Sequence, residues 1–234
     1  MKSRWNSALL VGCAAIALSA RAPAQNASPP AQPHHPQQLP AEQGQVQQFT
    51  LTSRGDIDGL ILTDGTEVKT PPHLSTEIAY SIKPGDTVII HGLHAAALPL
   101  VQAVSISDEA TSRTVVDDDP PPPRGGGPAL GAAAPGLASE LQGRVRMALH
   151  GPRGEVNGAL LADGTVLRLP PPEAERFATL LQPGQTVVAQ GSEYASALGK
   201  VFEATQLGAS RDQLSAVEPP PGPGRDRPPS PPRP

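Results

Sequence analysis

Residues 44–92 read GQVQQFTLTSRGDIDGLILTDGTEVKTPPHLSTEIAYSIKPGDTVIIHG, and residues 143–191 read GRVRMALHGPRGEVNGALLADGTVLRLPPPEAERFATLLQPGQTVVAQG. The two align without a gap at a constant offset of 99 positions, and 17 of the 49 aligned residues are identical. Shared positions include Gly44/Gly143, Val46/Val145, Gly59/Gly158, Pro71-Pro72/Pro170-Pro171 and Gly92/Gly191. Asp64-Gly65-Thr66 also matches Asp163-Gly164-Thr165, and Pro84-Gly85 matches Pro183-Gly184. Two copies joined by a long polar segment describe tandem domains, because a solenoid needs about three or more stacked units.

Each copy spells the same order of elements. In copy one, Val46–Leu51 and Ile57–Leu62 are strand-like on either side of an Arg54-Gly55-Asp56 turn. Asp64-Gly65 predicts a type I′ hairpin, whose two central residues need positive φ. Thr66–Lys69 is a third strand, which Pro71-Pro72 ends because proline donates nothing to a ladder. Leu74, Ile78 and Ile82 recur every four residues as one helical face, stopped at Lys83-Pro84-Gly85. Thr87–Ile90 and Leu98–Ile106 complete five strands. Copy two repeats this with Val145–Leu149, Val156–Leu161 and Val166–Leu169, then a helix with Pro171 and Pro172 at its first turn. Glu173 and Glu175 face the positive end of that helix, and Phe177, Leu180 and Leu181 form its buried face. Thr186–Ala189 and Val201–Leu207 follow.

Three strands, a helix and two strands in about 65 residues is the order of the five-stranded OB-fold barrel. The expected fold is therefore all-β with a short helix per domain: two tandem OB-fold-like barrels, joined and flanked by Pro-rich disordered segments. The pattern G-x-V … G-x-(L/A)-x-L-x-D-G-T … P-G-x-T-V … G resembles the OB-like domains of small exported bacterial proteins. These include the periplasmic bacterial OB-fold group and related domains of unknown function. The resemblance covers residues 44–107 and 143–208. It implies an envelope location and binding of small or extended ligands, and it carries over no catalytic residue.

The 30 prolines are unevenly spread and divide the chain. The expected organisation is a signal peptide over 1–24, a Pro/Gln-rich segment over 25–43, and a first domain over 44–108. An acidic Pro/Gly-rich linker over 109–140, a second domain over 141–211 and a Pro-rich tail over 212–234 follow. Asp117–Pro123 is expected to be stiff and to hold the domains apart. At the N-terminus, Lys2 and Arg4 precede the apolar run Ala8–Ala20, and Ala22-Pro23-Ala24 ends in an A-x-A cleavage pattern. That reads as a leader for a periplasmic or secreted protein, with no transmembrane segment after cleavage. Leu10-Val11-Gly12-Cys13 leaves lipidation of Cys13 as an alternative. Cleavage after Ala24 removes the only cysteine, and with it disulfide and thiolate-metal chemistry.

The net charge of −4 argues against a general nucleic-acid binder. Its distribution is uneven: residues 44–108 carry three basic and seven acidic side chains, residues 141–211 seven and six. OB barrels bind along strands two and three, closed over by the loops joining strands 1–2 and 4–5. Those loops hold Arg54, His94, Arg153 and Tyr194, with Arg54 and Arg153 at the same repeat position. Arginine there suits a bidentate anionic group. Arg144, Arg146 and Arg168 lie on strands of copy two, Arg144 and Arg146 on one face. Aromatic platforms for base stacking are few. His91, His94, His73 and the pair His34-His35 lack converging partners, so no metal site and no cofactor is expected. Arg124-Gly125-Gly126-Gly127 lies in a proline tract, not between strand and helix, and no catalytic motif is present. The expected function is a non-enzymatic envelope protein binding a glycan, peptide or small ion. The alternative is an adaptor using the Pro-rich arms (Arg225-Asp226-Arg227 among them) and barrel edges, with single-stranded nucleic acid placed behind both.

Overall fold

The structure is a computed structural model and describes residues 36–118 and 137–219. The expected leader over residues 1–24, the pair His34-His35, residues 119–136 of the expected linker and residues 220–234 lie outside the described residues. The first half contributes β1 (Ala41–Leu51), β2 (Ile57–Leu62), β3 (Glu67–Lys69), α1 (Ser75–Ser81), β4 (Thr87–His94), β5 (Leu100–Asp108) and β6 (Thr114–Val116). The second contributes β7 (Leu137–His150), β8 (Val156–Leu161), β9 (Val166–Arg168), α2 (Pro171–Arg176), β10 (Thr186–Ser196), β11 (Gly199–Gly208) and β12 (Ser215–Ala216). In the first, β1 pairs with β2 and β4, β2 with β3, and β4 with β5. The parallel pairing of β3 with β5 closes the barrel. β7–β11 repeat this, closed by the parallel pair β9–β11, while β6 and β12 lie outside on β5 and β11. These are two closed five-stranded barrels of OB-fold type in tandem, each with one short helix.

Two of the identical glycine pairs, Gly59/Gly158 and Gly92/Gly191, sit where another backbone passes close. A Cβ on Gly59 would lie 2.2 Å from the Val68 carbonyl oxygen, and one on Gly158 2.0 Å from that of Leu167. The Asp-Gly-Thr turns differ from the type I′ expectation. Gly65 and Gly164 take positive φ (92° and 88°), but neither Asp64 nor Asp163 does. Gly65 N donates to Leu62 O at 3.0 Å and Leu62 N to Thr66 O at 2.9 Å, the pattern of a type I turn followed by a glycine bulge. Asp64 Oδ1 holds this turn by accepting from Thr66 N at 2.8 Å.

Strands extend beyond the apolar runs. β1 begins at Ala41, where residues 41–45 pair with β4 residues 91–87, and β7 begins at Leu137 against β10. The start of β1 is polar and that of β7 is mixed and exposed, so the ladder partner rather than apolar alternation makes them strands. α2 ends at Arg176, shorter than expected: Leu180 N and Leu181 N both donate to Phe177 O, tightening the chain into turns. Phe177 and Leu181 are nonetheless buried. Among the described residues no helix is long and apolar enough to cross a membrane.

The barrels are not held apart. Leu149, Leu160, Val166 and Val201 of the second belong to the same buried cluster as Leu51, Ile57 and Ile61 of the first. β2 accordingly buries Leu60, Ile61 and Leu62 in succession, one side into its own barrel and the other towards its neighbour. Gln47 and Arg146, equivalent in the repeat, hydrogen-bond each other, which places them at the pseudo-two-fold axis relating the barrels.

Candidate functional site

The strands expected to meet a ligand instead meet each other. Glu67 and Lys69 on β3 and Arg168 on β9 are all buried. Arg168 Nη2 donates to both carboxylate oxygens of Asp58 at 2.7 Å, Nη1 to Asn157 Oδ1 at 2.9 Å, and Nε to Leu51 O at 2.8 Å. Thr50 Oγ1 donates to Asp58 Oδ1 at 2.8 Å, and Lys69 Nζ lies 3.3 Å from Glu67 Oε1 and 3.9 Å from Asp58 Oδ2. Glu67 accepts from His150 N at 3.0 and 3.1 Å, and its Oε2 lies 3.0 Å from His150 Nδ1. Buried charges need such partners, because an isolated ion in a low-dielectric interior is costly. Arg168, a candidate for a basic groove, is thus an interface residue. Neither Asp58, Glu67 nor His150 stood out in the sequence. The only trace of them was the apolar stretch Leu60–Leu62 in β2 beside charges on β3.

The loops between strands 1–2 and 4–5 also pair across the axis. Residues 95–99 of the first barrel face residues 151–155 of the second, and the 1–2 loop of the first meets the β10–β11 hairpin of the second. The first pairing leaves a cleft of about 440 Å³, lined by Leu93, His94, Ala95–Leu98, Leu100, Gln102, Pro152, Arg153 and Gly154. His94 and Arg153, from different copies, converge there. The Arg153 side chain is 90 % exposed, with Nε 3.8 Å from Glu155 Oε1, and Leu93 is 57 % exposed at the rim. His94 Nδ1 lies 3.8 Å from Glu42 Oε2. At the second pairing Tyr194 covers Gly55, and Arg54 stands beside it in solvent. The remaining candidates lie elsewhere: Arg144 Nε donates to Gly184 O at 3.2 Å, and Arg146 is spent on Gln47 at the axis. His91 Nδ1 lies 3.3 Å from Leu39 O, and among the described residues no group of three or more His, Cys, Asp or Glu could hold a metal ion.

No family profile matches this sequence. No curated protein is similar to it either. Among solved structures, the chain is similar to a deletion mutant of the single-stranded DNA binding protein from Thermus aquaticus. That likeness has 14% identity and a TM-score of 0.24, covering 77% of this chain and 95% of the other. The wild-type protein from the same organism matches with the same identity and TM-score over 79% and 96%. The expectation of an envelope ligand on the strand 2–3 faces is corrected, because those faces are buried between the barrels. At this TM-score the likeness carries no argument about binding, which rests on the cleft.

Proposed function

We propose that this chain binds single-stranded nucleic acid, without catalysing a reaction on it, by taking a nucleotide into the cleft between His94 and Arg153. The observation that supports this is the convergence of unlike groups in one cavity. Arg153 offers a solvated guanidinium for a phosphate, Gln102 and His94 offer hydrogen bonds for a base edge, and Leu93, Leu98 and Leu100 offer apolar surface. The volume of about 440 Å³ lies within the range of roughly 300–1,000 Å³ that ligand pockets occupy. A net charge of −4 supplies no broad attractive field. Affinity therefore depends on the few groups of the cleft. Export through the leader expected over residues 1–24 belongs to the same proposal, and mass spectrometry of the secreted product tests it through cleavage after Ala24.

Anisotropy of a labelled oligo(dT) titrated with the purified chain tests the binding. Saturable binding should weaken with salt at a log–log slope of only about −0.7 to −1.4, one or two phosphates' worth for a single strand. No binding at low salt, or binding that Arg153→Ala leaves unchanged in affinity and slope, would sink the proposal.

A further inference from the structure

The two loop pairings are equivalent, yet only one is open. Gly92 faces Ala103 across β4–β5, and Gly191 faces Ala204 across β10–β11. Counting on from these glycines, Ala95 occupies the position of Tyr194, and Gly154 is the repeat partner of Gly55. A Cβ on Gly55 would lie 2.1, 2.6 and 2.8 Å from three ring carbons of Tyr194, so the phenol ring lies directly on that glycine's backbone. A Cβ on Gly154 would meet only Leu98 Cδ1, at 3.4 Å. In the cleft no ring lies on the equivalent glycine, and Leu98 borders the space above it, an open seat.

Resting on the nucleic-acid reading above, we infer that this seat takes one nucleobase, laid on the Gly154 backbone as Tyr194 is laid on Gly55. The chain itself shows what fills the equivalent position: a planar ring. Around the open seat stand Arg153, which suits the phosphate attached to such a ring, and Gln102, which suits its polar edge. An aromatic side chain of a peptide would use the seat but not these two groups. Among the described residues one such seat is open, and it takes one base.

The test compares the wild-type chain with Ala95→Tyr, Arg54→Ala and Tyr194→Ala, each shown to be folded by its melting transition. Thymidine 5′-monophosphate, oligo(dT) and a tyrosine-containing peptide are titrated and followed by amide NMR. Ala95→Tyr should fill the seat and weaken both nucleotide probes by roughly tenfold or more, within the span that one stacked base commands. Arg54→Ala, beside the seat that Tyr194 fills, should bind as the wild type does. Tyr194→Ala should open a second seat and raise the stoichiometry for the mononucleotide from one to two. Oligo(dT) binding that Ala95→Tyr leaves intact would overturn the seat while leaving nucleic-acid binding standing. Failure of the wild-type chain to bind oligo(dT) would overturn both. Preference for the peptide over both nucleotide probes would overturn the base assignment.

Discussion

Arg168 of the second barrel grips both carboxylate oxygens of Asp58 in the first at 2.7 Å, while the repeat partners of this pair, Lys69 and Asn157, do not face each other in the same way. Lys69 stays with Glu67 and Asp58 of its own barrel. The copies have diverged so that each complements the other. In a pairing of two second barrels, Arg168 would find Asn157 where it now finds a carboxylate.

Removing one member of this pair strands a largely buried charge. Asp58→Ala should cost about 3–5 kcal/mol, whereas replacing Asp58 and Arg168 together by Leu and Met should cost far less. Urea denaturation of the three variants measures this. Equal losses for the single and double replacements would contradict the assignment.

The buried cluster that holds Leu51, Leu149, Leu160 and Val201 joins the two barrels, which should therefore unfold as one cooperative unit. Heating should give one transition, with calorimetric and van't Hoff enthalpies in agreement. Leu160→Ala should lower stability by about 2–5 kcal/mol without splitting it. Two separable transitions would show that the interface contributes little.

Arg54 and Arg153 are identical positions in the repeat with different surroundings. Arg153 borders the open cleft; Arg54 borders the seat that Tyr194 fills. Arg153→Ala should weaken oligo(dT) binding and reduce the salt slope by about 0.7, while Arg54→Ala should do neither. Both side chains are solvated, so melting temperature should hold in each variant.

Asp108 closes the turn from β5 to β6. The hydrogen bond from Thr111 Oγ1 holds its carboxyl below the usual carboxylate range, assisted by the Ala110 and Thr111 amides and the nearby Arg113 charge. A depressed folded-state pKa stabilises the fold above the ordinary carboxylate pKa. That contribution disappears as pH falls through the folded value. Asp108→Asn should therefore melt below the wild type at neutral pH, with the gap narrowing on acidification. A gap that stays constant down to strongly acidic pH would exclude the linkage.

Much of each barrel was legible because its signals are local. Turn glycines, the proline stop after β3 and the apolar runs inside β2, β4 and β5 act over a few residues, and the repeat showed every signal twice. The exposed starts of β1 and β7 were hidden, since a strand made of Ala41, Glu42 and Gln43 is recognisable only beside its partner. The turn at Asp64-Gly65 was legible as a turn but not in type, because the bulge depends on how the flanking strands twist.

Sequence alone determined the repeat, the strand order, the two barrels and the residues that occupy their loops. Tertiary structure decided which face each barrel shows. Packing β2, β3, β8 and β9 against one another removed apolar surface that a lone barrel would leave in water, and it took Arg168 out of the solvent. It also decided that His94 and Arg153, far apart in the chain, line one cleft, and that Ala95 leaves open what Tyr194 fills. Neither relation has a local signal, because each depends on a contact between copies that the spacing of residues along one chain does not encode.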